Sequence, residues 1–232
     1  MQVFISLQKV CMMSDKQTIK AVLFDLDGTL LNTSEGIACS VLHTLSVMQL
    51  PSISSDEVST FIGPPIQESL KRHFRLSDED VQKGADIFRA YYKDCALFKA
   101  ALYPGIIDLL KQLKQKGFLI GVATYKREDY AMDILKHFGI LEYCDVVHGA
   151  DNDNKLRKSD IVYLCISEMS VDNSEVVLVG DTYHDLEGAE EADIHFIAVT
   201  YGFGFRESVR ELSSKNVVGV ADNPMEIEGL LK

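Results

Sequence analysis

The chain has 232 residues, 47% hydrophobic and 25% charged, the make-up of an ordinary soluble globular protein with one large domain or a domain carrying an insertion. A net charge of −12 argues against a nucleic-acid groove or an anionic membrane surface, and no apolar run approaches the ~20 residues that span a bilayer. Five scattered cysteines without a CxxC pair exclude a disulfide framework or zinc site and point to an intracellular, cytoplasmic protein with reduced thiols.

Residues 1–17 lack the long apolar stretch and the cleavage site of a signal peptide and read as a flexible leader, with a start at Met12 or Met13 as an alternative. The run IKAVLF (19–24) predicts a buried parallel strand, and it ends on Asp25 and Asp27, followed by Gly28 and Thr29. Residues 34–102 then read as wholly helical, punctuated by Pro51 and the Gly63-Pro64-Pro65 turn, with SDED (77–80) as an N-cap signature. Within them, Tyr91 and Tyr92 read as one core and one surface aromatic.

From Pro104 onward helices and strands alternate. PGIIDLLKQLKQKG (104–117) sets Ile107, Leu110 and Leu113 on one face and stops at Gly117. Strands are predicted over 118–124, 144–149, 175–181, 195–201 and 217–222, with helices over 127–139, 159–169 and 184–194 between them. This alternation predicts an α/β fold with a parallel sheet and right-handed crossovers, interrupted by a helical insertion over 34–102.

Ligands of open parallel sheets bind outside the carboxyl ends of the strands. Asp25, Asp27, Thr124 and Asp181 all stand at such ends. Asp25 and Asp27 share one side of an extended segment, and two like charges so close call for a cation. Asp181 and Asp185, in GDTYHD (180–185), add two more carboxylates. An all-oxygen set without a competing His/Cys cluster suits a hard divalent ion such as Mg²⁺. His184, inside that motif, reads as solvent-facing, and His43, His73, His137 and His148 read as structural or surface residues.

The constellation resembles the haloacid dehalogenase-like (HAD) superfamily of phosphohydrolases over nearly the whole chain. Its motifs stand in order as Asp25-Leu26-Asp27-Gly28-Thr29, then Thr124 in GVATYK, a lysine before a later helix, and Asp181 with Asp185. FIGPPIQESL and the GDTxxDxxGAxxA pattern are similar to the phosphoglycolate phosphatase-like branch, whose helical cap lies where 34–102 lies here. The third motif departs from the usual Lys-Pro-x-Pro; Lys158, directly before Ser159-Asp160, matches the family position, and Lys155 reads as a solvated loop charge.

The resemblance implies a Rossmann-like core over 1–33 and 103–232 with a cap over 34–102. It also implies a Mg²⁺-dependent phosphatase of a small phosphorylated metabolite. Asp25 would be the nucleophile and Asp27 the acid and base. Thr124 and Lys158 would hold phosphate oxygens. Asp25, the Asp27 carbonyl and Asp181 would hold the metal, and Asp185 would orient a metal water or Lys158. Lys126 is open between a phosphate contact and a role outside the site, and the Gly63-Pro64-Pro65 turn between a loop facing the site and a plain turn. Alternatives are a phosphomutase of the β-phosphoglucomutase type, whose usual cap-loop Arg is missing from GPPIQESL, and a non-catalytic phosphometabolite sensor.

Overall fold

The computed structural model describes residues 18–151, 155–205, 209 and 214–231; the leader anticipated over 1–17 lies outside them. Strand β1 (Ala21–Phe24) is followed by a two-residue strand β2 (Leu31–Asn32) and four helices: α1 (Ser34–Val47), α2 (Ser55–Ser59), α3 (Ile66–His73) and α4 (Asp78–Tyr91). α4 runs into a π-helical turn, Tyr92–Ala96, before strand β3 (Ala101–Leu102). Then come α5 (Ile106–Gln115), β4 (Leu119–Arg127), α6 (Glu128–His137), β5 (Val146–Ala150), α7 (Lys158–Met169), β6 (Val176–Gly180), α8 (Tyr183–Glu191), β7 (His195–Val199), β8 (Val217–Ala221) and α9 (Pro224–Leu230).

Six strands form one parallel sheet in the order β5-β4-β1-β6-β7-β8. Its strands are continuous apolar runs because both faces are covered. Successive side chains of β1 alternate between the two cores. Val22 and Phe24 pack with Leu109, Leu113 and Ile134 from α5 and α6, while Ala21 and Leu23 pack with Ile161, Cys165 and Ala189 from α7 and α8. All four β1 residues are fully buried, and burying a side chain of Leu or Phe size contributes about 1.5–3 kcal/mol. β1 lies at the reversal of strand order, between β4 and β6, so its carboxyl end opens at the topological switch point.

Residues 34–96 are helical throughout their regular elements, and Ser77 caps α4 by accepting the Asp80 N–H at 3.1 Å. The two chain crossings into this insertion are zipped together by the antiparallel pair β2–β3, with Leu31 opposite Leu102 and Asn32 opposite Ala101. Ile37, Val41 and Leu70 of the insertion join the same core as Phe24. No helix of the described residues is long and apolar enough to cross a membrane.

Candidate active site

β1 stops at Phe24, and the next residue, Asp25, turns into a buried pocket with 7% of its surface exposed. Gly28 makes the return possible: its φ of +92° lies in the left-handed region, and a Cβ there would collide with the Asp181 carboxylate. Asp181 follows β6 and is fully buried. Its Oδ2 accepts the Phe203 N–H at 2.7 Å and the Gly204 N–H at 3.3 Å, and its Oδ1 accepts a long bond from the Thr29 hydroxyl at 3.4 Å.

Asp185 is held by a reciprocal cap at the start of α8. Thr182 Oγ1 accepts the Asp185 N–H, while the Thr182 N–H and hydroxyl donate to Asp185 Oδ2 at 3.0 and 2.6 Å. Its other oxygen, Oδ1, lies 2.6 Å from Lys158 Nζ, which also donates to Asp25 Oδ1 at 2.6 Å. Lys158 is the first residue of α7, and its own N–H donates to the Tyr125 hydroxyl at 2.9 Å. One buried ammonium thus bridges two carboxylates. Lys155 is exposed, with its N–H on Asp151 Oδ1.

Oxygens of Asp25, Asp181 and Asp185 lie within 4.8 Å of one another. Against three carboxylates Lys158 supplies a single positive charge. Burial raises the Asp25 carboxyl to about 7; Lys158 opposes that rise and the neighbouring Asp185 and Asp27 charges add to it. Burial, followed by the Asp185 and Asp25 charges, likewise holds Asp181 well above the usual carboxylate range. Burial disfavours the Lys158 ammonium, but Asp185 and Asp25 outweigh it and keep the ammonium above its ordinary value. A surplus of buried oxygen ligands short of positive charge fits a divalent cation.

Thr124 is buried in the last part of β4, and its hydroxyl oxygen accepts the Lys126 N–H at 3.1 Å. Lys126, two residues on, shares its side of the extended strand. Its Nζ lies 2.9 Å from Asp27 Oδ2 and 2.8 Å from the Tyr92 hydroxyl. Lys126 therefore faces the site with its charge already matched to Asp27. Tyr92 is 3% exposed and belongs to the site, beyond the core role read from the sequence, while Tyr91 is half-buried and stacks on His43 at 4.1 Å between centroids. Their adjacency in sequence held no signal separating them. His184 is half-buried, edge-on to Tyr125 at 5.9 Å between centroids, rather than simply solvent-facing.

One cavity of about 130 Å³ has Asp25, Asp27, Thr124, Lys126, Lys158 and Asp185 on the sheet side. The insertion supplies the opposite wall through Gly63, Pro64, Pro65, Gln67, Arg89 and Tyr92. The Gly63-Pro64-Pro65 turn thus faces the site.

A family model described as haloacid dehalogenase-like hydrolase matches residues 22–199. The chain is 32% identical to the tyrosine-protein kinase PtkA of Mycobacterium tuberculosis over 209 residues, 90% of this chain and 71% of that protein. It is 30% identical over 213 residues to the pyrophosphatase PpaX of Halalkalibacterium halodurans, covering 91% of this chain and 98% of that one. With a phosphoglycolate phosphatase of Pectobacterium atrosepticum it shares 29% over 213 residues, 89% and 90% of the two chains. Among solved structures, a haloacid dehalogenase-like family hydrolase from Streptococcus pneumoniae superposes with a TM-score of 0.84 at 29% identity, covering 92% of this chain and 99% of that one.

Proposed function

The chain belongs to the haloacid dehalogenase-like hydrolase family, in its phosphoglycolate phosphatase-like branch, and on that premise we propose that it hydrolyses the phosphate ester of a small metabolite through an aspartyl phosphate on Asp25. The observation that carries this reading is the buried Asp25–Lys158–Asp185 bridge opening, with Asp27 and Thr124, into one small cavity.

Asp25 attacks phosphorus while the bond to the leaving oxygen breaks, and Asp27 gives that oxygen its proton. Asp27 then takes a proton from the water whose oxygen attacks phosphorus, and the Asp25–phosphorus bond breaks to return the carboxylate. Lys158 and the Thr124 hydroxyl hold the non-bridging oxygens, placing a charge and a donor where negative charge gathers. Asp185, with Oδ2 capped by Thr182 and Oδ1 on Lys158, fixes the lysine. With Oδ1 on the Lys158 ammonium and Oδ2 in the Thr182 cap, it is a poorer ligand than Asp181, whose Oδ1 accepts only the long 3.4 Å bond from Thr29. Asp25, Asp181 and the Asp27 backbone carbonyl would hold the metal, which we read as Mg²⁺ from the all-oxygen set. When bound, the ion screens the repulsion between nucleophile and phosphoryl group. The net charge of −12 is carried mostly elsewhere, because in the cavity lining Arg89, Lys126, Arg127 and Lys158 match Asp25, Asp27, Asp151 and Asp185 in number.

The test is a panel of phosphorylated metabolites with Mg²⁺, including phosphoglycolate, pyrophosphate, nucleoside monophosphates and sugar phosphates. Release of inorganic phosphate from at least one, lost in Asp25→Asn, supports the reading; no release from any defeats it. A second reading, phosphoryl transfer to an acceptor other than water, is favoured by the similarity to PtkA. Transfer of label from γ-labelled ATP to protein tyrosine, without release of inorganic phosphate, would select it.

A further inference from the structure

The segment Tyr201-Gly202-Phe203-Gly204-Phe205, which follows β7, lies against both turns that carry the candidate metal ligands. On the turn after β6, the Phe203 and Gly204 N–H groups donate to Asp181 Oδ2 at 2.7 and 3.3 Å, and the Phe205 N–H donates to the Asp181 carbonyl at 2.7 Å. On the turn after β1, the Tyr201 hydroxyl donates to the Thr29 carbonyl at 3.1 Å. Gly202 stands between the two turns. A Cβ there would lie 2.4 Å from Asp181 Oδ2 and 2.4 Å from the Gly28 carbonyl oxygen, so the three residues close up only because Gly202 has no side chain. Both ends of the segment are anchored: the Tyr201 ring lies edge-on to Tyr103 at 4.8 Å between centroids, and Phe205, 2% exposed, packs between Tyr183 and Phe196.

We propose that Tyr201 and Gly202 are positioning residues that fix the spacing between the Asp181 carboxylate and the turn after β1, and that this spacing makes the site select a small divalent ion over a larger one. This rests on the metal ligands assigned under the phosphatase reading above. Two N–H groups on Oδ2 leave Oδ1, with its long bond from Thr29, as the less engaged oxygen of Asp181. Tyr201 holds the opposite turn, which carries Asp25 and the Asp27 carbonyl, through Thr29. A Mg²⁺ ion requires oxygens at about 2.0–2.1 Å in near-octahedral order, whereas Ca²⁺ accepts about 2.3–2.6 Å and irregular geometry. Turns that cannot part therefore penalise Ca²⁺. Turns released from one another lose that discrimination, and Mg²⁺ affinity falls with it. Groups that hold a ligand in place commonly carry about 10–100-fold in metal affinity.

The experiment reads ion binding and no turnover. Full-length wild type, Tyr201→Phe and Gly202→Ala are titrated with Mn²⁺ by electron paramagnetic resonance, and the bound Mn²⁺ is displaced with Mg²⁺ and, separately, with Ca²⁺. Tyr201→Phe keeps the ring against Tyr103 and removes only the hydroxyl. Its Mg²⁺ affinity should fall about tenfold and its Ca²⁺ affinity less than about twofold, so that the Mg²⁺-to-Ca²⁺ ratio drops at least about fivefold. Gly202→Ala wedges the two turns apart and should lower the ratio further. An unchanged ratio in Tyr201→Phe overturns the proposal, including the case in which both affinities fall equally or only the melting temperature in chelator falls, as a purely structural role would give. That variant decides the matter even if Gly202→Ala fails to fold. A wild type that binds none of the three ions overturns it too. The phosphatase reading stands or falls separately, on phosphate release from the metabolite panel.

Discussion

The two walls of the cavity differ in how completely their polar groups are committed. On the sheet side, Asp185 has both oxygens held, Asp181 accepts two backbone N–H groups, and Lys158 is shared between two carboxylates at 2.6 Å, although Asp27 Oδ1 is buried without a partner among the described residues. On the insertion side, Gln67 Oε1 is buried without a partner, and Arg89 reaches only Asp86 at 3.8 Å among the described residues. A committed wall holds one geometry whatever enters, whereas an uncommitted wall has donors and acceptors to offer a ligand. In the proposed reading, bond-breaking chemistry therefore belongs to the sheet and selection of the ligand to the insertion. Tyr92 crosses the divide: it comes from the insertion, yet its hydroxyl is bound to Lys126 of the sheet.

The sharpest break of this division is Asp25→Asn. The amide is nearly isosteric but a poor nucleophile, so turnover should fall to less than about a hundredth of wild type on every substrate, with the fold retained by circular dichroism. A variant that kept more than that would remove the chemistry from the sheet wall. Asp27→Asn should lose the steady state but keep part of the first turnover. A burst of dinitrophenolate followed by slow release is the expected trace, because Asp25 can still be phosphorylated while no base activates water; loss without a burst contradicts the dual role of Asp27.

On the other wall, Arg89→Leu should raise KM for the preferred metabolite about tenfold, equivalent to about 1.4 kcal/mol of binding. The kcat for an aryl phosphate should stay within about twofold. Replacing the Gly63-Pro64-Pro65 turn should similarly reorder natural substrates, and a uniform loss across all of them would show that the insertion supports the catalytic geometry instead of selecting the ligand.

The smallest effect is one of stability without metal. The folded-state carboxyl of Asp25 lies near 7, above its unfolded value, and Asp181 is also raised. Below about pH 4 both states carry the proton; between there and about 7 the unfolded chain gives it up more readily, so stability falls as pH rises through that window. In chelator, the melting temperature should be several degrees lower near pH 7.5 than near pH 5.5. Added Mg²⁺ should restore more at the higher pH. The pH difference should shrink in Asp25→Asn; an unchanged difference would place its origin elsewhere.

Much of this architecture is local in origin, and so the sequence by itself determined it. Continuous apolar runs report strands buried on both faces, the 3.6-residue period reports helices, and a carboxylate directly after a strand lands at the carboxyl edge of the sheet. That is why 19–24, 118–124 and 175–181 could be read as strands and Asp25 and Asp181 placed at their carboxyl ends, whereas β4 runs on past Thr124 to Arg127. Beyond its reach lay the two-residue strands β2 and β3, too short for any period, and the π-helical turn, which breaks no composition rule. The pairing of charges lay beyond it as well. Lys126 reads as a lysine two residues past Thr124; that it answers Asp27, 99 positions earlier, and Tyr92, 34 positions earlier, depends on distances through space. Coulomb energy and hydrogen bonding act over those distances, and neighbours along the chain do not set them. Tertiary structure alone decided which lysine serves which carboxylate and which oxygen of Asp27 is buried without a partner among the described residues.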